Sequence, residues 1–316
     1  MGAGLDTAAT GEVAGLSQVV AQLREARERW RRSQLRQEAG GRELPSRDAL
    51  AAVVAGLRGA LFPMRLGPAD LRQENEDYYV GHTLAACLPR LLSEVRLELR
   101  YHARHGAAES EQRIEPRAQE IVRSLGASLA GIRVLLDSDV LATYQGDPAA
   151  HSVDEVLLSY PGIHALIHHR IAHGLYRLGV PILARIIAEL AHGETGIDIH
   201  PGATIGGGLF IDHGTGVVIG ETAVIGRNVK LFQAVTLGAR RPELDESGKV
   251  RRGLPRHPII EDDVVIYSGA TVLGRVTIGR GASIGGNVWL TRSVPPGARV
   301  TQANSREDKL AISAER

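Results

Sequence analysis

Hydrophobic positions divide the chain into two regimes. Up to about residue 195 they recur at helical spacing, and beyond it they recur every sixth residue. In the first regime, 17–37 threads a thin apolar stripe through many charges and reads as a solvated helix. The segment 44–62 opens with Pro45 and Ser46, good helix-start residues, ahead of an apolar period close to four. Segments 77–102 and 115–144 continue that period, and 160–196 holds two helices broken near Gly179-Val180-Pro181.

The second regime runs Ile199, Ile205, Ile211, then Ile219, Ile225, Leu231 and Leu237, with Gly206, Gly220, Gly226 and Gly238 directly after four of them. Two positions before each lies an apolar, often smaller residue, such as Ala203, Leu209 or Ala223. After an interruption at 239–256 the count resumes at Ile260 and continues through Ile266, Val272, Ile278, Ile284 and Leu290. A six-residue period is neither that of a helix nor that of a simple strand. It fits a solenoid in which three short strands make one triangular coil, each placing one aliphatic side chain inward. The expected fold is therefore α+β and multidomain: an all-α N-terminal domain, then a left-handed parallel β-helix of hexapeptide repeats. The expected divisions are a charged extension (1–45), a helical domain (46–195), the β-helix (196–292, with the inserted loop 239–256) and a tail (293–316).

Composition narrows the function. Of 316 residues 43% are apolar but only 4% aromatic, so the core is built from Ala, Val, Leu and Ile. Lys and Arg (37) nearly balance Asp and Glu (36), and a net charge of +1 offers no bulk attraction to nucleic acid or anionic membrane. The single cysteine, Cys87, cannot form an internal disulfide, which suits a reducing compartment. No apolar run reaches the ~18 residues of a membrane span. The start lacks a signal-peptide pattern, and Asp6 stands where a myristoylation signal needs Ser or Thr. A cytoplasmic protein that binds neither nucleic acid nor membrane is expected.

A repeat specifies shape, so chemistry is sought where the repeat is broken. Ile211 to Ile219 is a step of eight, and the extra residues fall in "DHGTG". The second break, 239–256, carries five arginines and one lysine against three carboxylates and ends at Arg256-His257-Pro258. Between Gly196 and Ala239 the acids and histidines are Asp198, His200, Asp212, His213 and Glu221. A histidine beside a carboxylate can act as a general base, the carboxylate fixing the tautomer and stabilising the imidazolium. Asp198 and the Asp212-His213 pair lie 14–15 residues apart, within one coil of each other.

The segments "GIDIHPGATIGGGLFIDHGTGVVIGETAVIG", "QAVTLGA" and "RHP", with "GDPAAHSVDEVLLSYPGIHALIHHRIAHGLY" upstream, resemble the serine O-acetyltransferase family over roughly residues 140–295. The Asp-Pro and "PGIHAL" segment separates that family from sugar and xenobiotic acetyltransferases on the same solenoid. The resemblance implies transfer of acetyl from acetyl-CoA to the L-serine hydroxyl in cysteine synthesis, with acetyl-CoA as co-substrate and no tightly bound cofactor. It implies His213 as general base, Asp198 as its orienting carboxylate and His257 as a second site histidine near the substrate or thioester carbonyl. It further implies Asp147 and Asp212 as ligands of the serine ammonium and Arg256 as the ligand of its carboxylate, where a planar fork suits best. Acetyl-CoA would lie along later coils at Gly238, Ala239, Ser268 and Ser283. Here Tyr267-Ser268 replaces the small residues common in the family, and Ser283 stands where a lysine is frequent.

The same resemblance implies a homotrimer through the β-helix, with helical domains pairing trimers into a hexamer as the next level. Many relatives end in an isoleucine that docks into cysteine synthase. This chain ends Ser-Ala-Glu-Arg, which weakens the case for that complex and for inhibition by cysteine. Three rivals remain. One is a hexapeptide acyltransferase acting on another amino acid or an amino sugar. Another is a metal-dependent β-helix enzyme of the γ-carbonic-anhydrase type, which needs three histidine ligands, two closely spaced on the solenoid. The β-helix offers only His200, His213 and His257, and no metal site is expected. The last is a non-catalytic scaffold. His164, His168, His169 and His173, on one helix without a His-Glu-x-x-His pattern, are expected to serve packing or interfaces.

Overall fold

The computed structural model describes residues 9–33, 44–104, 111–240, 248, 251 and 253–303. Most of the inserted loop and the Ser-Ala-Glu-Arg ending lie outside the described residues. The chain divides into two compact units, 1–43 and 44–316. In the first, α1 (Ala9–Ser33) leaves Leu16, Val19, Val20, Leu23 and Trp30 exposed, and Arg31 and Arg32 in its last turn complement the helix dipole.

The second unit opens with α2 (Arg47–Leu61), α3 (Pro63–Leu66), α4 (Glu76–Arg104), α5 (Glu111–Gly146), α6 (Val153–Ser159), α7 (Pro161–Arg177) and α8 (Pro181–Thr195). Local chemistry sets several of these ends. Ser46 Oγ accepts the Ala49 amide at the start of α2, and Ser152 Oγ accepts the Glu155 amide at the start of α6. Gly196, at φ 69°, terminates α8 in the left-handed region that glycine enters without a Cβ penalty. The short α3 and α6 were not anticipated, because neither is long enough to show a periodic stripe. No helix among the described residues is long and apolar enough to cross a membrane.

From Asp198 the chain forms strands of two or three residues, β1 (Asp198–Ile199), β2 (Thr204–Ile205), β3 (Phe210–Ile211), β4 (Val218–Ile219), β5 (Val224–Ile225), β6 (Lys230–Leu231), β7 (Thr236–Gly238), β8 (Ile259–Ile260), β9 (Val265–Ile266), β10 (Thr271–Leu273), β11 (Thr277–Ile278), β12 (Ser283–Ile284), β13 (Trp289–Leu290) and β14 (Arg299–Val300), stacked in parallel as three sheets. The first sheet has the order β1-β4-β7-β10-β13, the second β2-β5-β8-β11 and the third β3-β6-β9-β12-β14. These are the three faces of a β-helix, and every inward aliphatic of the six-residue period is buried. Truncating one to alanine in such a core costs about 2–5 kcal/mol.

Register shows where the breaks go. Thr271 pairs with Trp289, an offset of one plain coil, whereas Asp198 pairs with Val218, two residues further. Thr236 pairs with Thr271, so the ladder resumes across the inserted loop as though it were absent. The first break therefore falls at the corner between the third and first sheets, and the second at the corner between the first and second sheets.

The helices are fastened to the first coil. Asp139 of α5 and Arg170 of α7 form an ion pair (Nε–Oδ2 2.7 Å) with side chains 0% and 4% exposed. Arg170 also donates to the carbonyls of Ile205 and Gly206, and Asp139 accepts the Leu209 amide. His173 of α7 contacts the Pro201 carbonyl through Nδ1 at 2.8 Å. A buried ion pair is tolerable only when its remaining donors and acceptors are satisfied, as they are here.

Candidate active site

The eight-residue step becomes a tight projection. The Gly214 amide donates to the Asp212 carbonyl at 2.6 Å, closing a three-residue turn with His213 at its centre. His213 has φ 59°, in the left-handed region that a non-glycine residue occupies only at a cost of about 1–3 kcal/mol. The coil re-enters register immediately afterwards, with Gly216 donating to Gly196 and Ala234 to Thr215. The two extra residues thus raise the His213 side chain off the wall, where it is 73% exposed.

Two contacts bring the helical half to this corner. A Cβ on Gly146 would come within 2.7 Å of the Phe210 ring, and one on Gly162 would strike the Ile211 backbone. Only glycine lets the end of α5 and the start of α7 press on β3 (Phe210–Ile211) in this way. Asp147 and Tyr160 are delivered with them. Tyr160 Oη donates to Asp147 Oδ2 at 2.6 Å, and the Ala149 amide donates to Oδ1. Those two donors hold the Asp147 carboxyl below its usual range, and the same bond pushes the Tyr160 hydroxyl up to about 12. Lys230 and His213 lie within electrostatic reach of Asp147, and Asp212 lies within reach of Tyr160. Lys230 donates to the Gly146 carbonyl at 2.8 Å and sits over the Phe210 and Phe232 rings. Asp147, Asp212 and His213 therefore share one corner, two acids and one imidazole.

Arg256 and His257 lie at the other broken corner. His257 is 6% exposed, and its Nδ1 accepts the Thr222 amide at 3.0 Å. Desolvation, reinforced by Arg256, lowers its pKa to about 4. The ring is therefore neutral near pH 7 with its proton on Nε2, the pattern of a hydrogen-bond donor to a carbonyl or oxyanion. Arg256 Nη2 pairs with Glu221 Oε2 at 2.6 Å, and Tyr176 Oη donates to Glu221 Oε1 at 2.8 Å. Burial alone would raise the Glu221 carboxyl, but those two donors outweigh it and lower it. Arg275 completes the lattice by donating to the carbonyls of Thr222 and His257. Within one chain the two corners stand at opposite edges of the first sheet, so the structure does not bring Arg256 and His257 to His213.

Asp198 lies on the strand that follows the acidic corner one coil earlier. Its carboxylate is within 4.8 Å of Glu189 and His192, a group of ligand atoms close enough together to hold a metal ion. Among the described residues, the carboxylate within ion-pairing distance of the His213 ring is Asp212, Nε2–Oδ1 3.9 Å, not Asp198. Gly238 and Ala239 lie where β7 (Thr236–Gly238) leaves the first sheet. Ser268 lies at the acidic corner two coils above Asp212, and Ser283 lies on the third sheet in β12 (Ser283–Ile284). These four positions are as divided between corners as Asp147, Asp212 and Arg256 are. Cys87 is buried in α4, and desolvation pushes its thiol up, away from nucleophilic use. His168 and His169 are buried, 4% and 3% exposed, and burial lowers both.

Sequence reasoning assigned no role to Tyr160, Lys230, Thr222, Tyr176 or Arg275. Tyr160 immediately precedes the "PGIHAL" segment and Thr222 lies within "GETAVIG", so motif membership rather than spacing is their signal.

Residues 257–292 match the family model described as bacterial transferase hexapeptide (six repeats). The chain is 55% identical over 269 residues to a plasmid-encoded serine acetyltransferase of Synechococcus elongatus, covering 84% of each protein. It is 50% identical over 161 residues to the Bacillus subtilis serine acetyltransferase, covering 51% of this chain and 70% of that one. Among solved structures, serine acetyltransferase isoform 3 of Entamoeba histolytica in complex with cysteine matches with a TM-score of 0.66 and 37% identity, covering 79% of this chain and 80% of that one. The Neisseria gonorrhoeae serine acetyltransferase in complex with serine matches with a TM-score of 0.51 and 29% identity, covering 80% and 95%. With a hexapeptide β-helix, a histidine raised at its first break and a relative 55% identical along most of its length, the chain belongs to the serine acetyltransferase family of acyltransferases.

Proposed function

We propose that the chain, as a serine O-acetyltransferase, moves acetyl directly from acetyl-CoA to the hydroxyl of L-serine, with His213 as general base. The observation that carries this reading is the strained, exposed His213 turn flanked by Asp147 and Asp212. A serine hydroxyl is a weak nucleophile unless its proton leaves during attack. His213 takes that proton as the oxygen adds to the thioester carbonyl. The tetrahedral intermediate collapses with loss of the CoA thiolate, which recovers the proton from the imidazolium.

Asp147 and Asp212 accept the substrate ammonium, and Arg256 binds the carboxylate while Glu221 holds its other edge. His257, neutral with Nε2 protonated, donates to the oxygen that becomes negative. Asp198 orients His213 in this reading, which requires the imidazole to turn from Asp212 toward the first coil. Acetyl-CoA runs along Gly238, Ala239, Ser268 and Ser283. Because these residues divide between two corners, a complete site needs the acidic corner of one copy and the basic corner of the next. A trimer through the β-helix supplies that arrangement.

Loss of acetyl-CoA thioester is the measurement, with L-serine, L-homoserine and glucosamine offered in parallel. Serine is expected to be turned over fastest; no turnover of serine would sink the reading. Repeating the assay with L-cysteine tests whether inhibition persists despite the altered tail.

A further inference from the structure

A second polar cleft lies behind the acidic corner, among α2, the start of α7 and the end of α8. Its volume is about 260 Å³, and its lining includes Arg58, Ser159, Tyr160, His164, Glu194 and Thr195. At ~30 Å³ per water that is room for a small organic molecule. None of Asp147, Asp212 or His213 lines it. Tyr160 is the partition between the two spaces, because it lines this cleft while its hydroxyl donates to Asp147.

The cleft contains an unusual cation. Arg58 Nε is buried without a hydrogen-bond partner, and among the described residues no carboxylate comes within ion-pairing distance of its guanidinium. Buried polar groups are nearly always satisfied, and a charged one left alone costs more than a neutral one. Desolvation accordingly lowers the Arg58 pKa, with Glu194 the compensating charge. Glu194 is itself engaged elsewhere. Its Oε2 lies 2.6 Å from His164 Nε2.

Burial, and then Arg58, lower the His164 pKa, so the ring is neutral near pH 7 and leaves the Glu194 charge uncancelled. The cleft then presents one positive and one negative group facing a space sized for a small molecule. The N-terminus of α7 opens on the same space and carries no side-chain cap, which adds a partial positive charge there.

We infer that this cleft is a second binding site for a small α-amino acid, its carboxylate on Arg58 and its ammonium on Glu194. A plain anion would satisfy Arg58 but would face Glu194 without compensation. The site is independent of the catalytic reading, since it uses no residue placed in that machinery.

Calorimetric titration of the full chain with L-serine, in the absence of acetyl-CoA, tests the inference. The wild type is expected to bind two equivalents per chain, the Asp147→Asn/Asp212→Asn double variant one, and Arg58→Met one. Glu194→Gln, whose native side chain is 58% exposed, serves as a second variant that leaves the fold intact and is also expected to bind one. Arg58→Met should keep the serine KM of acetyl transfer within about twofold and should not lower the melting temperature, because it removes an unpaired half-buried charge. Absence of serine binding to the Asp147/Asp212 double variant, or two equivalents retained by both Arg58→Met and Glu194→Gln, would overturn the inference. Acetate displacing serine from the double variant as well as L-alanine does would overturn the amino-acid assignment in favour of a simple anion site. Failure of acetyl transfer by the wild type bears on the catalytic reading alone.

Discussion

At the corner between the third and first sheets, His213 stands 73% exposed on a strained turn beside two acids. At the corner between the first and second sheets, His257 is 6% exposed and bonded into a lattice of Thr222, Arg256 and Arg275. Both histidines sit at breaks in one repeat, yet one break added two residues and the other a whole loop. The short break projects a side chain; the long one returns the chain to the ladder and buries what it returns. A proton acceptor must meet its substrate and move, whereas a neutral donor must be fixed in one tautomer before reaction begins. On the proposed reading, the two corners divide those two jobs between them.

Removing the exposed histidine should do most damage. His213→Ala is expected to lower kcat about a thousandfold, within the usual range for a general base, with oligomer size and circular dichroism unchanged. A loss below about tenfold would return His213 to the status of a loop residue.

Mixing subunits tests whether the corners meet across copies. His213→Ala and His257→Ala chains, unfolded together and reassembled, should recover about a quarter of the wild-type rate if each site takes one corner from each of two neighbours. No recovery would mean that both corners act within one chain. Next in size, Arg256→Lys should raise the serine KM about tenfold or more while leaving the KM for acetyl-CoA nearly unchanged, because a point charge replaces a fork.

Gly220→Ala probes the fixed corner from beneath. Its Cβ would overlap the His257 ring, so kcat should fall severalfold with little change in the serine KM. The smallest effect is in stability. His168 and His257 both titrate near 4 in the fold, below the ordinary value of 6.5. The unfolded chain therefore takes up protons first as pH falls, and the stability present above pH 6.5 is lost progressively toward pH 4. The melting temperature should be flat above pH 7 and decline across that window, less steeply in His168→Asn.

Much of this was legible beforehand. Ile199 through Leu290 mark the inward position because only one side chain in six can point into a triangular coil, and the eight-residue step exposed the His213 turn directly. The relation of Asp198 to His213 was harder to see. A separation of 14–15 residues suggests adjacency on a coil, but at the strand row Asp198 sits against Glu189 and His192 of α8, which precede the solenoid. Tyr160 and Lys230 escaped notice for a related reason. Their roles arise from contacts across 13 and 84 residues, made possible by Gly146 and Gly162 at the helix ends, and no periodic pattern records such contacts.

The fastening of α7 to the first coil has a consequence for the length of the solenoid. Bonds between coils run both ways: Thr204 and Gly206 donate up to the carbonyls of Ala223 and Ile225, while Gly216 and Asn228 donate down to those of Gly196 and Gly207. The first-coil carbonyls of Pro201, Ile205 and Gly206 are instead met by α7, His173 engaging the first and Arg170 the other two. An open end of parallel strands is a template on which another copy can continue the stack. By engaging those carbonyls, α7 removes that end of the solenoid as such a template.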